Sequence, residues 1–246
     1  MSISADLLLV LPVYNEISLV KEVCRTVEEA IRKSPNLRVC IVDDGSTDGT
    51  GEEFRRLLKK IKHVQLQVLP KNGGKGNAIR EGFRGANAKY LIFMDGDLAY
   101  SIKNLYSIER ALQKNDMVIG SRSMAPQAQG GLPARRAVLG WGFNRLVCLI
   151  LGFDYSDTQA GMKGFSRQAA EQLFSRQKLS GFAFDAELLY LAKKLGLQVG
   201  QVPALVASRH TYKTSHVKLF LDSTRCLWEL FCIRWWSWTG AYRLSR

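Results

Sequence analysis

Two pairs of aspartates are the first residues here whose types and spacing suggest chemistry. Asp43 and Asp44 close the apolar run RVCIVDD, and Asp95 and Asp97 close KYLIFMDGD. Both runs are apolar without alternation, as expected of strands covered on two faces. Ligands of open α/β sheets bind beyond the carboxyl ends of such strands. Four carboxylates therefore gather at one sheet edge in a chain that is basic elsewhere. Like charges that close are unfavourable unless a cation or hydrogen-bond donors compensate. Asp95-Gly96-Asp97 suits Mg²⁺ or Mn²⁺, since Mg²⁺ takes one or two carboxylates and completes its shell with substrate phosphates. Gly96 is expected to leave room for a diphosphate. An isolated D-x-D is more often an acidic turn, but its place directly after a buried strand in an alternating chain favours the metal.

The segment after Asp44 has a plainer use. Ser46, Thr47 or Asp48 can N-cap the next helix, with Gly45 making the turn. Asp44 is not needed for capping and is expected to accept a hydrogen bond from a ribose or base. Lys71-Asn72-Gly73-Gly74-Lys75-Gly76-Asn77 is glycine-rich and opens a helix, so its amides can face an anion. It is not a Walker A loop, and LPVYNE rather than G-x-G-x-x-G follows the first strand. Lys75 is either part of an anion site or a solvated side chain. His63, His210 and His216 lack metal-ligand spacing, and no G-x-S-x-G elbow or cysteine-nucleophile signature occurs.

Alternating elements must position these groups. Strands are expected near 6–13, 37–43, 64–69, 89–94 and 116–121, with helices near 16–33, 48–61, 75–87 and 101–114. That rhythm implies right-handed crossovers and a mostly parallel central sheet flanked by helices, an α/β fold. The turn-rich SRSMAPQAQGGLPARR breaks it. Beyond lie a helix over 137–151, a strand near 161–166, a helix over 183–195, the strand VGQVPALV and a closing helix over 217–238. The expected division is a catalytic domain over 1–215 and a C-terminal amphipathic helix over 216–246.

In that helix Val217, Phe220, Leu221, Thr224, Leu227, Trp228, Phe231 and Trp235 follow helical spacing, opposite Lys218, Asp222, Arg225 and Glu229. Tryptophans beside Arg234 and Arg243 have the composition of a helix lying in a membrane interface. Packing on the catalytic domain or on a second copy, giving a homodimer, is the plainer alternative.

The chain has 246 residues, 46% hydrophobic and 23% charged, which suits one sizeable globular domain. Its formal charge of +13 favours anionic partners, among them anionic lipid and phosphorylated substrates. Basic residues are dispersed and no nucleic-acid module appears, so nucleic acid is not an expected partner. Five cysteines without a C-x-x-C pair argue against a disulfide framework or structural zinc and fit a reducing compartment. The N-terminus lacks a secretory signal, and no stretch approaches the roughly 20 apolar residues of a spanning helix. The expectation is a cytoplasmic protein, peripheral on the cytoplasmic face of a membrane.

In order along the chain, LPVYNE, VDDGSTDGT, NGGKGNAIREGF and MDGDLA resemble family 2 glycosyltransferases of the GT-A fold. SRS at 121–123, Arg136, DTQAGMKGFSR at 157–167, FAFDAELLYLA at 182–192 and the closing SHVKLFLDSTRCLWELFCIR are similar to the polyprenyl-phosphate branch. That branch includes dolichyl-phosphate mannose synthases and glucosyltransferases. The resemblance implies that Pro12, Tyr14, Glu16 and Asp44 line the nucleotide pocket, and the glycine-rich segment puts Lys75 on the donor side. By the same resemblance Asp95 and Asp97 hold the metal and the donor diphosphate. Arg122 and Arg136 receive the acceptor phosphate; Asp157, Gln159 and Lys163 shape the sugar and acceptor side, and Asp185 lies in another shared motif. Gly140 stands where relatives often carry serine, and Ala99 where mannose synthases carry glutamine. The D-L-A form is similar to that of the glucosyltransferases.

The implied reaction is inverting, metal-dependent transfer from a nucleotide sugar, of the UDP-glucose or GDP-mannose type, to a polyprenyl phosphate. An acceptor phosphate is already anionic and needs cations to place it, not a strong base. A soluble glycan or protein acceptor would need a base, and Asp157 or Asp185 would be the first to test. A catalytically silent nucleotide-sugar-binding protein is the second alternative, which the intact D-x-D opposes.

Overall fold

A computed structural model of the protein describes residues 6–125, 134–205 and 219–243, and the side chains of all of these except 134–138 and 219–224. Seven strands form one sheet: β1 (Leu7–Val13), β2 (Leu37–Asp43), β3 (Val64–Val68), β4 (Tyr90–Met94), β5 (Met117–Ser121), β6 (Met162–Ser166) and β7 (Val199–Pro203). Their spatial order is β3-β2-β1-β4-β6-β5-β7. β1 runs parallel to β2 and β4, and β5 parallel to β7, whereas β6 is antiparallel to both β4 and β5. The sheet is thus mostly parallel, as expected. The reversed strand matters for the site: Met162, the first residue of β6, pairs with Met94, the last of β4. The segment before β6 therefore arrives at the edge where β4 ends.

The helices are α1 (Val20–Lys33), α2 (Thr50–Leu58), α3 (Lys75–Phe83), α4 (Asn104–Leu112), α5 (Ala134–Leu151), α6 (Arg167–Phe174), α7 (Phe184–Lys194) and α8 (Leu219–Trp238). On β4, Tyr90, Ile92 and Met94 face one layer with α1, α2 and α4, while Leu91 and Phe93 face the other with α3, α5, α6, α7 and α8. Successive strand side chains point to opposite faces, and both faces are covered, so hydropathy along β4 does not alternate. Fully burying each such Leu or Ile contributes about 1.5–3 kcal/mol. The sequence pattern does not anticipate α6; the Ser166 hydroxyl caps it by accepting from the Ala169 N–H.

α8 joins the core through a face other than the tryptophan-bearing stripe. Cys226, Leu230 and Ile233 are buried together with Glu229, while Trp228, Phe231, Trp235 and Trp238 are exposed. The helix carries apolar residues all round, so periodicity alone does not choose its inner face. Tyr242, beyond its end, is buried and donates to Glu187 Oε1 on α7 at 2.8 Å. No helix among the described residues is long and apolar enough to cross a membrane.

Candidate active site

The strand order changes direction beside β1, with β2 and β3 on one side and β4 on the other. The carboxyl ends of β1 and β4 thus flank the crevice where this architecture binds ligands. Beyond β1, the turn is stitched to the turn after β2: Asn15 N–H donates to Ser46 Oγ and Thr47 N–H to Asn15 Oδ1, both at 2.9 Å. Glu16 N–H donates to Thr50 Oγ1 at 2.9 Å. Tyr14 stands exposed at the strand tip, and Pro12 is half-buried within the strand. Gly49 sits at the N-cap of α2 with φ of 90°, and Asp48, one of the expected caps, accepts the Thr50 N–H at 3.0 Å while Ser46 Oγ accepts from Asn15.

Asp43 and Asp44 play different parts. Asp43 Oδ1 accepts the Ser46 N–H at 2.9 Å and shapes its own turn. Asp44 reaches across to the glycine-rich segment, accepting Gly73 N–H at 2.9 Å and Gly74 N–H at 2.8 Å, one on each oxygen. Burial raises its pKa against the pull of those two amides. The loop before α7 braces the same segment, with Gly76 N–H on Ser180 O at 2.8 Å and Gln177 Nε2 on Gly76 O at 3.0 Å.

This bracing points Lys75 at the end of β4. Its ammonium lies 2.7 Å from Asp95 Oδ1 and 3.7 Å from Asp185 Oδ2, and 5.6 Å from the centres of the Phe93 and Phe184 rings. Burial opposes its charge, but Asp95 and Asp185 outweigh burial and hold the pKa above the usual lysine value. Asp95 and Asp97 are half-buried on one turn, Asp95 N–H bound to Gly161 O and Asp97 Oδ1 accepting Ala99 N–H, both at 2.9 Å. At Gly96 a Cβ would collide with the Pro12 carbonyl, which by itself calls for glycine there.

On the far side, Arg122 ends β5's edge of the cleft. Asp157 Oδ2 accepts its Nε at 2.8 Å and Oδ1 its Nη2 at 3.0 Å. Tyr100, which sequence reasoning missed, lies between the two halves. It is buried, its hydroxyl accepts Gly161 N–H at 3.0 Å, and it is electrostatically coupled to Arg122, Asp95 and Asp157. Burial raises its pKa, and its proximity in turn is the largest cause raising that of Arg122. The signal was there in DGDLAY, a tyrosine three residues past the second aspartate. Gln159 is half-buried, with Nε2 enclosed and without a hydrogen-bond partner among the described residues. Arg136 falls in the first turn of α5, and its side chain lies outside the described residues.

Lys163 is corrected. The resemblance sets it on the acceptor side, but it has 0% exposure on the central strand β6, bonded to Ala160 O at 2.7 Å and to Asp185. Burial lowers its pKa, only partly offset by Asp185. Asp185 is itself buried between Lys163 and Lys75. Both residues support the floor of the cleft from beneath and are not open to an acceptor.

The donor set at the D-G-D turn fits a hard divalent ion. Two half-buried carboxylates share one turn at the end of β4, and no group of three or more His, Cys, Asp or Glu side chains that could hold a metal occurs among the described residues. That is too few ligands for a closed structural site and suits an ion completed by substrate oxygens. Buried Cys24 and Cys40 have thiols pushed up to about 11 by burial, which makes them poor nucleophiles.

The fold is GT-A. It matches glucosyl-3-phosphoglycerate synthase of Mycobacterium tuberculosis with a TM-score of 0.68 at 19% identity, covering 94% of this chain and 81% of that one. A structure of that enzyme with Mn²⁺, UDP and glucosyl-3-phosphoglycerate matches at 0.64 and 16% identity, over 94% and 80% of the two chains. The family model for glycosyl transferase family 2 matches residues 8–174, and the chain belongs to that family. It is similar to dolichyl-phosphate β-glucosyltransferases. The protein of that name from Dictyostelium discoideum is 30% identical over 208 residues, 78% of this chain and 64% of that protein. The one from Drosophila melanogaster is 34% identical over 215 residues, 81% and 66% of the two chains. The chain thus spans less than two thirds of these relatives' length.

Proposed function

We propose that the protein transfers a sugar from a nucleotide sugar, of the UDP-glucose or GDP-mannose type, to a polyprenyl phosphate. The observation that carries this reading is the Arg122–Asp157 pair, a half-exposed guanidinium held by a buried carboxylate just past the end of β5. A guanidinium has two hydrogen-bonding forks. Asp157 takes the Nε/Nη2 fork, which turns the Nη1/Nη2 side of a side chain 46% exposed toward other anions. Arg136 and the enclosed donor of Gln159 are assigned to the same acceptor side.

On the donor side Pro12, Tyr14, Glu16 and Asp44 line the base and ribose pocket, and Lys75 meets the diphosphate. Asp95 and Asp97 would hold Mg²⁺ or Mn²⁺, which when bound stabilises charge on the leaving diphosphate. An oxygen of the acceptor phosphate attacks the anomeric carbon as the bond to the diphosphate breaks on the opposite face. No proton need move, because the acceptor is already anionic. A soluble hydroxyl acceptor would need a base. Asp157 and Asp185 are both committed to cations, which weighs against that reading.

The exposed aromatic stripe supports a lipid acceptor. Trp228, Phe231, Trp235 and Trp238 recur at helical spacing on α8, which packs against α5. α5 in turn exposes Leu139, Trp141, Leu146 and Leu149. We assign this surface to contact with an anionic membrane, in keeping with the +13 charge. A thermal-shift panel of nucleotide sugars with Mn²⁺ or Mg²⁺ tests the donor half, since a specific ligand raises stability by mass action. A UDP- or GDP-sugar should raise the midpoint only with the metal; no response to any nucleotide sugar would overturn the reading.

A further inference from the structure

Asn144 faces inward from α5 and makes three hydrogen bonds to one loop. Its Nδ2 donates to Tyr155 O at 2.8 Å, and its Oδ1 accepts both Thr158 N–H and Thr158 Oγ1 at 2.8 Å. Asp157 lies between those anchor points. Thr158 has 0% exposure and Asp157 8%, so the loop is packed as well as bonded. Next to Asp157, Ser156 donates its N–H to Gln201 Oε1 at 2.9 Å and lies 2.7 Å, Oγ to Oγ, from Ser121. Beyond this scaffold, the two oxygens of Asp157 accept the Arg122 N–H, Nε and Nη2.

We propose that Asn144 is a positioning residue for the acceptor arginine. Through Tyr155 and Thr158 it fixes the backbone carrying Asp157, and through Asp157 it sets which fork of Arg122 faces the cleft. This rests on the proposed lipid-phosphate transfer. An amide suits this position because it donates to a carbonyl and accepts from an amide and a hydroxyl at once, which neither a carboxylate nor an aliphatic side chain does. Neighbours of Asn144 on the same helix, Leu146 and Leu149, are exposed. The helix that carries part of the apolar surface therefore also holds the loop behind the phosphate-binding arginine.

Steady-state kinetics with a nucleotide sugar and a short polyprenyl phosphate in detergent test the proposal. Asn144→Ala should raise the acceptor KM by about ten-fold, the scale of a small misplacement of a binding group. The donor KM, and the thermal shift given by UDP or GDP with Mn²⁺, should stay within about two-fold and about one degree of the parent. Asn144→Asp, which keeps the acceptor for Thr158 and loses the donor to Tyr155, should fall between. A cycle with Arg122→Lys should be non-additive, because the two residues act on one contact. Equal rises in both KM values, or an additive cycle, would overturn the proposal by showing general loosening. Should Asn144→Ala lose a cooperative melting transition, Thr158→Val, which deletes one of the three bonds with little change of shape, carries the same comparison. Failure of the parent protein itself to form lipid-linked product would instead strike the proposed function.

Discussion

The ammonium of Lys75 lies 2.7 Å from Oδ1 of Asp95, so the first aspartate of the D-G-D turn carries an internal counter-ion. Asp185 and Lys163 continue the pairing into the core, giving two cations and two anions in a row beneath the cleft. At the sheet edge itself the aspartates are compensated one by one. Asp43 and Asp44 are met by backbone amides, and Asp95 by a lysine.

Asp97, the second carboxylate of that turn, uses Oδ1 to hold the Ala99 amide. Asp97→Ala should abolish metal-dependent stabilisation by UDP or GDP. Loss of the bond to the Ala99 amide should by itself cost about 0.5–1.5 kcal/mol of folding stability. Thermal shift with and without Mn²⁺, beside urea unfolding, checks both. Persistence of the metal-dependent shift would remove Asp97 from the metal site.

The buried pair beneath the floor should be structural in its energetics. Asp185→Ala leaves Lys163, at 0% exposure, without its carboxylate and should destabilise the fold by about 3–5 kcal/mol. Replacing both together, Asp185→Leu with Lys163→Met, should recover part of that loss, since no charge is left unpaired. Urea midpoints of the single and double variants decide this; a single variant as stable as the parent would contradict the pairing.

The Tyr242–Glu187 bond gives stability a pH dependence. Burial raises the Glu187 pKa above 4.5, while Tyr242 and the Leu179 and Lys178 amides pull it down. Above the unfolded value the folded state therefore binds more protons, and this contribution to stability declines as pH rises through the folded value. Tyr242→Phe removes a donor that favours the carboxylate. Its cost should be about 1–3 kcal/mol near pH 8, where the anion needs that donor, and smaller near pH 5. Denaturation at the two pH values measures it, and equal losses would show that Glu187 is not the titrating group.

The exposed aromatic stripe should be separable from the donor site. Trp228→Asp with Trp235→Asp should weaken binding to vesicles of anionic phospholipid by at least about ten-fold, while nucleotide-dependent thermal shifts persist. Sedimentation with vesicles reads the first, and unchanged binding would assign α8 to another partner.

Much of the frame is legible in the chain because strand-end aspartates and unalternating apolar runs have one economical arrangement. β2 falls at the expected residues 37–43, and Asp95 and Asp97 leave β4 where the pattern places them. What escapes depends on contacts between distant segments. The direction and register of β6 are a matter of pairing, and the register, Lys163 opposite Phe93 on a sheet covered on both faces, buries Lys163. Spacing does not show that the Asp44 oxygens meet Gly73 and Gly74, nor that a side chain at Gly96 would meet the Pro12 carbonyl. Asn144 escapes notice because a lone asparagine in an apolar helix signals nothing until the loop it holds is seen.

The most direct measurement is transfer of radiolabelled sugar from a nucleotide sugar into organic-extractable polyprenyl phosphate, with Mn²⁺ or Mg²⁺ present. We expect label in the organic phase from the parent protein, and a loss of at least about a hundred-fold with Asp97→Ala or Arg122→Ala. Label that stays wholly in the aqueous phase, on a soluble glycan or protein, would contradict a site built to seat a lipid phosphate against Arg122.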